Sequence, residues 1–193
     1  MAEFERKRLA ILLNSDFADW ETGFLAASAR DFFDAQVDYL TPDGLSVVSE
    51  GGMRVASDGA FAGAASEVYD AVVVCGSARW ADADAADIGP ILRAAEQRNA
   101  AIGVICAGTL TAARAGLFRG RVHTSNGAAW IAQKVPDYPG HHLYQESKWA
   151  VVDHGLVSAA SSAPASFASE MLGLLYPDHP QLPQVRTMLD AVR

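Results

Sequence analysis

The feature that most constrains how this chain can fold is a set of three short, dense apolar runs: Leu9–Leu13 (LAILL), Tyr69–Cys75 (YDAVVVC) and Ala101–Cys106 (AIGVIC). Each has the length of a strand and lacks simple polar alternation, the pattern of a strand covered on both faces. Segments with helical spacing separate them. Thr22–Phe33 places Phe24, Leu25, Phe32 and Phe33 at helical intervals, and Ile88–Asn99 reads as a helix with Pro90 tolerated near its start. Gln36–Leu40 returns to strand character and stops at the turn Thr41-Pro42-Asp43-Gly44. Ser46–Ser49 and Met53–Ala56 read as two short β pieces joined through Gly51-Gly52. Gly108–Ala115 reads as a short helix closed by Gly116. Arg121–Thr124, Trp149–Val152 and Leu156–Ala159 are expected strands, the last two forming a hairpin about Asp153–Gly155. Pro164–Tyr176 and Leu182–Val192 are expected helices. Strands thus alternate with helices, with no linker or repeat. The expectation is one α/β domain over residues 1–193, built on a mostly parallel sheet.

Composition narrows the function classes. Apolar residues make up 50% of the 193 and charged residues 20%, an ordinary globular balance. A net charge of −8, with no local Lys/Arg run, argues against nucleic acid or an anionic membrane as partner. The opening MAEFERKRLAILLNSD has basic residues before an apolar run, but Asn14 and Asp16 end that run before it reaches the roughly 7–15 residues of a secretory signal. A soluble, cytoplasmic protein is expected. Cys75 and Cys106 are too few for a disulfide scaffold and lack CxxC spacing. No phosphate-cradling glycine motif is present. His141 and His142 are adjacent, so in a strand they would face opposite ways and not chelate one ion. No cofactor and no metal are expected.

In open sheets of this kind, ligands bind beyond the carboxyl ends of the strands. That directs attention to the loops Asn14–Glu21, Cys75–Trp80 and Cys106–Thr109. The third is the most telling. Gly103-Val104-Ile105-Cys106-Ala107-Gly108-Thr109 passes from buried strand to helix through one reactive residue and two small ones, the layout of a nucleophile elbow. A helix N-terminus there favours thiolate over thiol. The backbone N–H of Ala107, with one from Gly76-Ser77, is a candidate oxyanion hole. The plainer alternative is a buried structural thiol, the usual fate of a cysteine ending an apolar strand. Cys75, inside VVVCG, reads as such a core-facing thiol. Trp20, Trp80 and Trp130 flank these loops, either as pocket walls or as packing or dimer-interface aromatics.

AIGVICAGTLTAARAGLFRGRVHTSN resembles the elbow region of the ThiJ/PfpI superfamily, which is related to class I glutamine amidotransferases. Three other stretches resemble the family in order: the acidic loop Asp16–Glu21, the hairpin Ser49–Val55 with Asp58-Gly59, and the late hairpin Val151–Ala159. The resemblance runs from Leu9 to about Leu175 and is similar in detail to an uncharacterised bacterial protease- or amidase-like subgroup. It implies a flavodoxin-like three-layer sandwich, Cys106 as nucleophile, Glu21 as its carboxyl partner, and a homodimer. A carboxyl group held against a thiolate stays protonated and donates a hydrogen bond to it, so the two titrate as a pair.

Departures from the family bear on activity. Ala107 stands where protease-like members carry a histidine, and Ser161–Phe167 lacks the His-x-Glu of the amidotransferase relatives. Proteolysis is therefore not expected. His123 shares a strand face with Ser125 if the segment is extended, which makes it a candidate facing the elbow, and Asn126 is a candidate lining group. The leading expectation is a cysteine-dependent hydrolase or lyase for a small carbonyl or amide-like substrate, as in glyoxalase- or deglycase-like members. The alternatives are a stress-response redox sensor or chaperone-like protein using an oxidisable Cys106, and a ligand-binding protein without turnover.

Overall fold

A computed structural model of the chain describes residues 5–66 and 68–192; the first four residues of the basic opening stretch, and both ends of the expected 1–193 domain, lie outside them. In chain order the elements are β1 (Arg8–Leu12), α1 (Asp19–Phe33), β2 (Gln36–Thr41), β3 (Val47–Val48), β4 (Arg54–Val55), β5 (Gly59–Ala60), α2 (Phe61–Ser66) and β6 (Ala71–Val74). Then follow α3 (Gly89–Gln97), β7 (Ala101–Ile105), α4 (Thr109–Ala115), α5 (Ala128–Lys134), β8 (Val151–Asp153), β9 (Leu156–Ala159), α6 (Pro164–Leu175) and α7 (Leu182–Asp190). Seven strands form one sheet in the order β5-β2-β1-β6-β7-β9-β8, parallel except for β8. β3 and β4 make a separate antiparallel pair about the Gly51-Gly52 turn.

The three apolar runs become β1, β6 and β7, side by side at the centre of the sheet. Because side chains alternate across a strand, each run supplies both faces. Leu9, Ile11 and Leu13 enter the core under α1, α6 and α7, whereas Ala10 and Leu12 enter the core that includes Ile91 and Leu92 of α3 and Leu110 of α4. Two covered faces explain why the runs contain no polar alternation. From β1 the chain first builds outward through β2, then crosses to the other side for β6, so the direction of winding reverses between β1 and β6. Such a switch point opens a crevice at the strands' carboxyl ends, and the loops after β1, β6 and β7 meet there.

Two expectations need correcting, and one conditional is settled. Helix α1 begins at Asp19, not Thr22, so Trp20 and Glu21 belong to its first turn; Asp19 and Glu21 are acidic groups that suit a helix N-terminus although their sequence context reads as loop. Arg121–Thr124 is not a strand. Two of its N–H groups are taken by side chains, Asp153 accepting from Val122 N–H at 2.8 Å and Ser158 Oγ from Thr124 N–H at 3.0 Å, and His123 forms only an isolated bridge to Tyr144, its carbonyl accepting from Gln145 N–H at 2.8 Å. His141 and His142 lie in a short 3₁₀ turn, not a strand. The helices α2 and α5 and the two-residue strand β5 had no distinctive signal in the sequence.

Gly103 shows how closely the layers approach. A Cβ there would lie 2.7 Å from Phe167 Cζ and 2.8 Å from Met171 Sδ, both on α6. Gly103→Ala is expected to lower unfolding stability by about 1–3 kcal/mol through overpacking, measured by urea denaturation. An unchanged midpoint would mean that α6 is free to move away from the sheet.

Candidate functional site

Cys106 follows β7 directly and has φ of +55°, in the left-handed region that non-glycine residues rarely occupy. The chain turns there into a 3₁₀ step, Cys106–Gly108, that leads into α4. Two small residues permit the turn. A Cβ on Gly108 would lie 2.5 Å from the Val74 carbonyl oxygen, and one on Gly76 would lie 2.7 Å from Cys106 Cβ and collide with the Glu21 carboxyl group. Thr109 Oγ1 donates to the Cys106 carbonyl at 2.6 Å and pairs with Ser125 Oγ at 2.6 Å, fastening the elbow to the following loop.

Glu21 reaches this elbow from the first turn of α1 and is fully buried. Its Oε2 accepts from Gly76 N–H at 2.7 Å. Oε1 is buried without a nitrogen or oxygen partner. The carboxyl group's other neighbours are sulfurs: the Cys106 thiol lies close enough to draw the Glu21 pKa down as a donor does, and Cys75 Sγ is 3.9 Å from Oε2. The loops that carry this arrangement are tied together, Ala18 N–H donating to Gly76 O at 3.0 Å and Ser77 Oγ to Ser15 O at 2.6 Å. Asp19 accepts from Ser49 Oγ and from Gly51 N–H, which docks the β3–β4 hairpin on the start of α1.

Asn126 occupies the third place beside the sulfur. Its Nδ2 donates to Cys106 Sγ at 3.1 Å, and its Oδ1 accepts from Ser161 N–H at 2.9 Å. The second bond fixes which way the amide faces, because a flipped amide would set two donors against each other. Ser161 also accepts from Trp20 Nε1 at 3.2 Å, so Trp20, 49% exposed, forms part of the rim. Ser161 is the neighbour that sequence reading passed over; a backbone amide has no residue-type signature.

Burial dominates the electrostatics. It pushes Glu21 up from the ordinary 4.5 to about 7, against the opposing hydrogen bonds from Cys106 and Gly76, and the Glu50 carboxylate adds a like charge. Burial likewise raises Cys106 to about 12; a charged Glu21 adds to that rise, while donors on Asn126 and Ala107 oppose it. Cys75, fully buried and close to Glu21, is also raised.

Several sequence-derived site residues are redirected. The Gly76 N–H, expected to serve an oxyanion, is committed to Glu21, and the Ala107 N–H is directed at the Cys106 sulfur. His123 does not face the elbow. It is fully buried, stacked on Phe118 with ring centroids 4.0 Å apart, and its Nε2 pairs with Tyr138 Oη at 2.8 Å; because the segment is not extended, the expected strand-face geometry fails. Burial lowers its pKa, consistent with a neutral core histidine. Trp80 is no pocket wall: it is fully buried against Phe61, and its Nε1 donates to Cys75 O at 2.9 Å. Trp130 packs against the core on the α3 and α4 side. Among the described residues, no three His, Cys, Asp or Glu side chains converge as a metal site, and no helix is long and apolar enough to cross a membrane.

Comparison with known proteins agrees with this architecture. The sequence model of the DJ-1/PfpI family matches residues 7–174. The crystal structure of the DJ-1 superfamily protein Atu0886 from Agrobacterium tumefaciens is 34% identical, with a TM-score of 0.88 over 97% of this chain and 100% of its own. Drosophila melanogaster DJ-1beta, 20% identical, shares the fold with a TM-score of 0.75 over 96% of this chain and 98% of its own. The Bacillus subtilis "Uncharacterized protease YoaZ" is 28% identical over 179 residues, covering 87% of this chain and 83% of that protein.

The raised Glu21 pKa carries a signed consequence. Between pH 4.5 and about 7 the native state holds a proton that the unfolded chain releases, so stability falls as pH rises through that window and then levels. The fall is on the order of 3 kcal/mol. Glu21→Gln, which cannot ionise, is expected to lack it and to exceed the wild type in stability at pH 8 but not at pH 4.5. Parallel pH profiles of the wild type and variant in urea would expose an unperturbed Glu21.

Proposed function

The chain belongs to the DJ-1/PfpI family, and on that premise we propose that it is a cysteine-dependent hydrolase or lyase acting on a small carbonyl or amide-like substrate. The observation that carries this reading is the placement of Cys106 Sγ between a buried carboxyl group, Glu21, and a fixed amide donor, Asn126. Above about pH 7 the pair holds one proton and one negative charge. The charge can rest on oxygen or on sulfur. Sulfur is offered N–H groups by Asn126 and Ala107, and a protonated Glu21 would add an O–H; the carboxylate has one N–H, from Gly76. The carboxylate also faces the S–H groups of Cys106 and Cys75, but these are weak donors, so donor strength favours thiolate beside carboxylic acid.

An aldehyde suits that state. Cys106 sulfur bonds to the carbonyl carbon, the π electrons move to oxygen, and oxygen takes the Glu21 proton. The second hydrogen of the Asn126 amide is the donor left to steady that oxygen. Glu21, now a carboxylate with a pKa near neutrality, can move a proton between adjacent carbons of a 2-oxoaldehyde adduct, giving a 2-hydroxy thioester that water hydrolyses. Methylglyoxal is the first substrate to test. Peptide hydrolysis fits poorly, because neither Ala107 nor Ser161–Phe167 supplies the histidine that pairs with cysteine in protease-like and amidotransferase relatives.

The same donors support a second reading as a redox sensor, since Glu21 O–H and Asn126 N–H would also hold an oxygen on an oxidised Cys106 sulfur. The homodimer and cytoplasmic setting implied by the resemblance belong to both readings. An apolar groove of about 540 Å³ along α1, which includes Trp20, Phe24, Phe32 and Met188, offers such a dimer a surface to bury.

Purified protein is expected to convert methylglyoxal to lactate. Cys106→Ala should abolish turnover, and Glu21→Gln should lower kcat by about 100-fold or more through loss of proton transfer. If neither aldehyde nor amide substrates are consumed while peroxide yields a stable sulfinate at Cys106, the enzyme reading fails and the redox reading stands.

A further inference from the structure

Cys75 has no part in the chemistry above, yet it shares the Glu21 carboxyl group with Cys106. We infer that Cys75 is a resolving thiol, which traps a Cys106 sulfenic acid as an intramolecular Cys75–Cys106 disulfide. This inference rests on the reading of Cys106 as a reactive thiolate held by Glu21.

The strand register supplies the reach. β6 and β7 are parallel neighbours with Val74 opposite Val104, so Cys75 stands one residue beyond β6 and Cys106 two residues beyond Val104. Neighbouring strands about 4.8 Å apart with a one-residue offset of about 3.3 Å give a Cα separation of about 6 Å. That lies inside the usual disulfide range of about 4.4–6.8 Å. The left-handed turn at Cys106 breaks the strand's alternation, so Cys106 packs against both cores, among them the α1-side core that contains Cys75.

The carboxyl group supplies the proton path. Cys75 Sγ lies 3.9 Å from Glu21 Oε2 and 3.5 Å from the Ala18 carbonyl oxygen, and Thr22 Oγ1 lies 3.9 Å from the sulfur. Glu21 Oε1, on the same buried group, has no nitrogen or oxygen partner. Cys75 itself is fully buried and therefore shielded from direct attack by oxidant, whereas Cys106 is partly exposed.

The steps balance with a hydroperoxide as oxidant. Cys106 thiolate attacks the nearer peroxide oxygen, the O–O bond breaks, and the departing oxygen takes the Glu21 proton, leaving Cys106–SOH and an alcohol or water. Glu21, now a carboxylate, accepts the Cys75 proton. The Cys75 sulfur then bonds to the Cys106 sulfur, the S–O bond breaks, and hydroxide leaves with that proton as water. Two thiol groups lose two electrons and one peroxide gains them. Because the disulfide consumes the sulfenic acid, it competes with further oxidation to sulfinate.

The test is mass spectrometry of the full-length protein after two equivalents of hydrogen peroxide, enough to carry one thiol to a sulfinate, with peptide mapping before and after dithiothreitol. The expected product in the wild type is a loss of two hydrogens, mapped to a Cys75–Cys106 bond and reversed by dithiothreitol. Cys75→Ala and Cys75→Ser should both lose that species and gain two oxygens at Cys106 instead. If the wild type itself gains two oxygens at Cys106 with Cys75 still free, the resolving role is overturned while the reactive Cys106 stands. No change at Cys106 in the wild type overturns the underlying reading as well. The wild-type map decides the matter even if a variant fails to fold.

Discussion

A carboxyl group buried against a sulfur is a costly arrangement, and most of the architecture around the strand ends can be understood as the means of holding Glu21 beside Cys106. Neither group has the water that would ordinarily stabilise its charge, and both are accordingly pushed toward their neutral forms. The contact survives because each participant is fixed from more than one direction. The first turn of α1 delivers Glu21, Gly76 N–H clamps one oxygen, and the left-handed elbow presents the sulfur. Gly76 must be glycine because any side chain would enter the space shared by the carboxyl group and Cys106 Cβ. Remove the close approach of β1, β6 and β7, and the three loops no longer converge.

Asn126 changes the chemical character of this pair. A histidine beside the sulfur could take a proton from the thiol and later give it to a leaving group. An amide can do neither; it donates hydrogen bonds and keeps its protons. Its orientation is set by Ser161, whose carbonyl in turn receives the Trp20 indole N–H. In the proposed chemistry, proton transfer at Cys106 therefore falls to Glu21. A group with a pKa of about 7 is well matched to both giving and receiving protons near neutrality.

Much of this was readable from the chain alone, and the reasons are physical. Apolar runs such as LAILL and AIGVIC leave few alternatives to central parallel strands, because nothing else buries both faces over so short a length. A cysteine followed by Ala107 and Gly108 at the end of such a run marks an elbow, since larger residues would strike the neighbouring strand. Other features depend on contacts between distant segments and left no local trace. His123 alternates correctly with Ser125 only in an extended chain, and the segment spends the N–H groups of Val122 and Thr124 on side-chain acceptors and keeps a single bridge to Tyr144 in place of a strand ladder. Gly76 N–H was available to a substrate oxygen only until Glu21 was found to occupy it. Cys75 looked like a plain core thiol because the sequence does not reveal that α1 points a carboxyl group at it.

The central claim is that Cys106 and Glu21 act as one unit that acquires its negative charge near neutral pH and places it on sulfur. Thiolate absorbance near 240 nm (an approximate band position), followed against pH in the wild type with Cys106→Ser subtracted, measures this directly. The account predicts a Cys106-dependent rise centred near pH 7, lost in Glu21→Gln. A thiol that remains protonated until strongly alkaline pH in both proteins would contradict it.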